Sequence, residues 1–69
     1  MKNSADGPFT VWFVDAFEER TRIRTYESLK LAESKATRIF NVTEAEMGFG
    51  NAVHITDGRG ETISAQLVQ

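Results

Sequence analysis

The chain has no cysteine. That excludes disulfide frameworks, thiolate metal sites and cysteine nucleophiles together. Small secreted domains are usually stapled by disulfides, so a reducing, cytoplasmic setting is the expectation. There is one proline, one tryptophan and one histidine. Long apolar runs are also missing. The longest, Val11-Trp12-Phe13-Val14, is far too short to cross a bilayer. Met1 to Gly7 is polar and lacks the apolar stretch of a signal peptide. No membrane role is expected.

What remains is ordinary globular material. Sixty-nine residues allow one domain and one core. A chain this short buries roughly 60% of its unfolded surface. Its core supplies on the order of 3–5 kcal/mol. Hydrophobic residues make up 41% and charged residues 26%, so a folded domain is expected rather than a disordered segment. The formal net charge of −2 gives no general attraction to nucleic acid or to an anionic surface.

Residues 1–7 read as a flexible lead-in and residues 8–69 as the domain. Phe9 to Phe17 is rich in aromatic and β-branched residues and is apolar on both faces, as an interior strand is. Phe9, Val11, Phe13, Asp15 and Phe17 share one face; Thr10, Trp12, Val14 and Ala16 share the other. Glu18-Glu19-Arg20 makes a connection. Thr21 to Tyr26 then alternates, with Thr21, Ile23 and Thr25 on one side and Arg22, Arg24 and Tyr26 on the other.

Ser28 is a good N-cap. Leu29, Ala32, Ala36, Ile39 and Phe40 fall at helical spacing, so a helix is expected from Leu29 to about Phe40. Asn41 to Gly50 reads as a connection, with a capping-box pattern at Thr43 to Glu46 and Gly48 as a stop. Asn51 to Thr56 and Glu61 to Val68 are strands. Asp57-Gly58-Arg59-Gly60 is the turn between them. Ile63, Ala65 and Leu67 share one face, to be matched with Val53 and Ile55. The chain shows no internal repeat and no low-complexity tract.

These elements define an α+β fold of ββαββ order: an antiparallel four-stranded sheet with one helix packed on one face. The expected core is Phe9, Val11, Phe13, Ile23, Leu29, Ala32, Ala36, Ile39, Phe40, Val53, Ile55, Ile63, Ala65 and Leu67.

No set of residues carries catalysis. His54 has no nucleophile, acid or further ligand at useful spacing, so it reads as a strand-surface histidine. Glu18/Glu19 and Glu44/Glu46 read as solvated charges. Asp15, on an otherwise apolar face, reads as a sheet-end residue or the partner of an arginine. The stretch Asp57 to Gly60 lacks the spacing and the following Lys-Ser/Thr of a phosphate loop. The expectation is a protein that is not an enzyme and holds neither cofactor nor metal.

The feature that stands out is the sheet face away from the helix. The alternation puts Trp12, Val14, Arg22, Arg24 and Tyr26 there, joined by His54. Trp, Tyr and Arg are the residue types of binding hot spots. They also stack on bases in sheet-based single-strand binders. The plainer alternative is that the arginines only solvate the face and stack over Trp12. The expected partner is a protein or complex. Two further readings are a single-stranded nucleic-acid binder using Trp12, Arg22, Arg24 and Tyr26, and a homodimer or self-associating structural subunit that buries the face by symmetry.

The stretch Thr25-Tyr-Glu-Ser28-Leu29-Lys-Leu-Ala32-Glu-Ser-Lys-Ala36, preceded by a strand and followed by a hairpin, resembles the layout of small bacteriophage host-takeover proteins. These include anti-CRISPR proteins and phage inhibitors of bacterial RNA polymerase. The resemblance lies in architecture and carries over no functional residue. It implies a compact inhibitor that binds and blocks a complex in the host cytoplasm.

Overall fold

The computed structural model describes residues 7–46 and 50–67. Five elements follow one another: β1 (Phe9–Val14), β2 (Arg20–Tyr26), α1 (Leu29–Glu46), β3 (Ala52–Thr56) and β4 (Thr62–Leu67). The four strands form one sheet in the order β2-β1-β3-β4, and all three pairings are antiparallel. The helix packs on one face of that sheet. This is the ββαββ, α+β arrangement that the patterning predicts, and β1, apolar on both faces, is an interior strand.

The core lies between α1 and the two central strands. Phe9, Val11, Val53 and Ile55 meet Ala32 and Ala36 of the helix, with Tyr26, Leu29, Ile39 and Phe40 packed around them. The alanines matter by being small: their side chains let the helix axis approach the sheet closely. Ser28 caps the helix. Its hydroxyl accepts the Leu31 N–H at 3.3 Å and its carbonyl accepts the Ala32 N–H at 3.0 Å.

The helix does not stop at Phe40. It runs on to Glu46. Nothing between Phe40 and Glu46 breaks it, since glycine and proline are absent there. Thr43, one turn beyond Ile39, extends the inward stripe and is buried. The capping-box pattern at Thr43 to Glu46 therefore sits inside a helix and begins none. Gly48 lies outside the described residues.

β1 ends earlier than its aromatic run suggests. Ala16 and Phe17 belong to the turn, and Phe17 is 89% exposed. That turn is the near-copy of the second hairpin's. In the β1–β2 turn, the Asp15 N–H donates to the Glu19 carbonyl and the Glu18 N–H to the Asp15 carbonyl, while Asp15 Oδ1 accepts from the N–H groups of Phe17 and Glu19. In the β3–β4 turn, Asp57 and Glu61 make the same backbone bonds, with Gly60 in the place of Glu18. Asp57 Oδ1 accepts from Arg59 and Glu61. Both are three-residue hairpin loops closed by a residue at positive φ: 67° at Glu18 and 85° at Gly60. The sequence carries this as a short repeat, where none is expected from its overall pattern. Val-x-Phe-x-Asp-x-x-x-Glu at 11–19 returns as Val-x-Ile-x-Asp-x-x-x-Glu at 53–61.

Each edge strand then breaks register once. On β2 the pairing passes from Trp12↔Arg22 to Val11↔Arg24, leaving Ile23 as the extra residue. On β4 it passes from Thr56↔Thr62 to Ile55↔Ser64, leaving Ile63 extra. A bulge of one residue turns every later side chain to the other face. Uninterrupted alternation would set Ile23 opposite Val11 and Ile63 opposite Ile55, in the core. The bulges place Ile23 and Ile63 in solvent instead, at 41% and 36% exposure. Ala65 and Leu67 also leave the expected core. They pair with His54 and Ala52 on the open face, while Ser64 and Gln66 face the helix side opposite Ile55 and Val53.

Candidate functional site

The face of the sheet not covered by the helix is built from β1 outward. Directly paired residues on neighbouring strands share a face. Trp12 lies opposite Arg22 on one side and His54 on the other, and His54 in turn lies opposite Ala65. One row of the open face is therefore Arg22–Trp12–His54–Ala65. The next row is Arg20–Val14–Ala52–Leu67.

Trp12 is locked in place. Its indole reaches diagonally over β3, where Nε1–H donates to Thr56 Oγ1 at 2.8 Å. This bond satisfies the one polar atom of the ring and covers Thr56, which is buried. One face of the indole carries Arg20, whose guanidinium carbon lies 4.3 Å from the ring centroid. Val14 and Ala52 are buried beside it, whereas Leu67 and Ala65 stay exposed. At the strand ends the Thr10 and Thr25 hydroxyls are 3.1 Å apart.

The structure divides the residues that alternation groups together. Trp12, Arg22 and His54 share the open face. Arg24 and Tyr26 do not: past the Ile23 bulge they pair with Val11 and Phe9, on the helix side. Tyr26 packs on the core there, and the Arg24 guanidinium lies 6.0 Å from its ring. Arg20 takes the place that the alternation gives to Arg24. The sequence signal for it is the closing Glu19 of the Asp-x-x-x-Glu turn, which fixes Arg20 opposite Val14. Ala65 and Leu67 join the site because of the Ile63 bulge.

Charge on this face has one sign. Between the strand bounds the register places Arg20 and Arg22 there, and no carboxylate. Asp15 stands at the sheet end as the turn acceptor. Asp57 is buried at the other end, and its carboxyl is held below its ordinary value of 3.8. The N–H of Glu61 lowers it most, burial opposes, and the Arg59 N–H and charge add to the lowering.

No protein family, curated protein or solved structure matches the chain. Among the described residues no three His, Asp or Glu side chains are grouped to hold a metal ion, and no helix is long and apolar enough to cross a membrane. What the face offers is a locked aromatic anchor, two arginines on one flank and aliphatic side chains on the other. Such a set can supply apolar burial together with charge-assisted hydrogen bonds to carboxylates or phosphates.

Proposed function

We propose that this protein is a non-enzymatic binding module that docks a protein partner on its open sheet face, in the manner of the small phage inhibitors its layout resembles. The observation that carries the reading is the polarity of β4. Its aliphatic residues Ala65 and Leu67 turn away from the helix and join Trp12, while Ser64 and Gln66 turn toward it. An edge strand that only served its own core would be built the other way round. Leu67, 54% exposed beside buried Ala52, marks where a partner's apolar surface would sit. Arg20 and Arg22 favour carboxylates around that surface.

The nucleic-acid alternative uses the same cations but needs a free aromatic face for base stacking. Arg20 already occupies one face of Trp12, and the net charge is negative.

The test is capture of partners from bacterial lysate by tagged protein, comparing the wild type with Leu67→Glu and with Arg20→Glu/Arg22→Glu. A partner held by the wild type and lost by both variants supports the reading. Equal retention by all three refutes it. Titration of Trp12 fluorescence with a single-stranded oligonucleotide at low salt separates the alternatives, because phosphate binding is steeply salt-dependent. A saturable, salt-sensitive change would favour nucleic acid over protein.

A further inference from the structure

The two edges of the sheet are not alike. β2 carries Arg20, Arg22 and Arg24, and charges of this kind keep a strand edge from pairing with another copy of itself. β4 carries no charge at all from Thr62 to Leu67. Nor is it roofed by the helix. An open cleft of about 320 Å³ separates them, with Glu33 and Thr37 on one wall, Ser64 and Gln66 on the other, and Ala36 and Ile55 at its base. Among the described residues the outer edge of β4 is thus an unpaired row of backbone donors and acceptors, interrupted only by the Ile63 bulge near its start.

The strand is also chemically palindromic about Ala65. Reading outward, Ser64 mirrors Gln66 and Ile63 mirrors Leu67. In an antiparallel pair made by a two-fold axis at Ala65, Ala65 meets Ala65 of the second copy. Ser64 then meets Gln66, and Ile63 meets Leu67. Amide meets hydroxyl on the helix side and Ala65 meets Ala65 on the open side, while the exposed, bulged Ile63 of each copy comes next to the other's Leu67. Cross-strand pairs of these kinds are favourable, and nothing of like charge is brought together.

From this we propose that β4 pairs antiparallel with β4 of a second copy, centred on Ala65, to give a two-fold dimer with one continuous sheet of doubled width. This does not depend on the open face binding a partner. It does enlarge that face, because each Leu67 gains the other copy's Ile63 beside it, and the partner copy completes the aliphatic flank of the site.

The experiment is sedimentation velocity on the full chain from low micromolar to millimolar concentration, with circular dichroism to check each variant's fold. The wild type should move from a 7.7 kDa monomer to twice that mass as concentration rises. Ser64→Lys/Gln66→Lys sets like charges against each other across the axis and should weaken dimerisation at least roughly tenfold. Ser64→Lys/Gln66→Glu sets opposite charges in the same register and should restore it. Ala65→Lys, at an exposed position, places two ammonium groups on the axis and should dissociate the pair without unfolding either copy. A wild type that stays monomeric throughout, a dimer indifferent to Ser64→Lys/Gln66→Lys, or a failure of Ser64→Lys/Gln66→Glu to restore it would each overturn the proposal.

Discussion

The two hairpins solve one problem with different means. Both reverse the chain in three residues, both hang the turn on an aspartate that opens it, and both close on a glutamate. The second uses glycine where the backbone enters the left-handed region, while the first forces Glu18 into it. The second buries its aspartate, while the first leaves Asp15 partly exposed. The shared hydrogen-bond scheme therefore defines the turn. Glycine and burial tune its strength.

Five substitutions at four positions break or level that comparison. Asp57→Ala should cost the most, giving the largest fall in melting temperature of the series. It strips two backbone N–H groups of a buried acceptor. The same carboxylate gives the pH dependence. Its folded value is lowered, so its contribution is fully present above the unfolded value near 3.8 and is lost as pH falls through the folded one. Asp57→Asn should flatten that part of the acid limb in a melting-temperature profile. An unchanged limb would remove Asp57 as its source.

Gly60→Ala comes next, at about 1–2 kcal/mol destabilising. An added Cβ meets nothing within 4 Å, so the cost is conformational and should appear as a shifted urea midpoint with an unchanged slope. Asp15→Ala should cost about 1 kcal/mol, because water can replace part of what the exposed turn loses. A loss equal to that of Asp57→Ala would contradict the ranking. Smallest, and opposite in sign, Glu18→Gly should stabilise by about 0.5–1 kcal/mol by relieving the left-handed backbone. If it destabilises instead, the Glu18 side chain has a role that the turn geometry does not show.

Much of the fold is legible from residue pattern alone. Alternation, the Ser28 cap and the alanine stripe lead to four strands and a helix in the right order. Helix length is less legible, because Asn41 to Thr43 are weak helix formers, but no breaker follows before Glu46 and burial of Thr43 extends the element. The candidate site is half legible. Trp12, Arg22 and His54 lie on the open face, as alternation places them, because they precede a bulge or sit on a regular strand. Arg24 and Tyr26, and on β4 the faces of Ala65 and Leu67, are misread for one reason. Ile23 and Ile63 are good strand residues, and nothing in an isoleucine announces that it will be the extra one. The turn repeat carries part of the signal, enough to place Arg20. Counting pairs back from Asp15–Glu19 and Asp57–Glu61 fixes the register near each turn, and only the bulges beyond it stay hidden.

The Ile63 bulge has a consequence for how this sequence can change. Deleting that one residue would remove the bulge and still leave Thr62 opposite Thr56 and Ser64 opposite Ile55, so Ala65 and Leu67 would stay on the open face. Keeping the isoleucine while closing the bulge would instead bring Ile63 opposite Ile55 and turn Ala65 and Leu67 under the helix. The outward-facing flank thus tolerates loss of the isoleucine and is undone only by a one-residue slip of register.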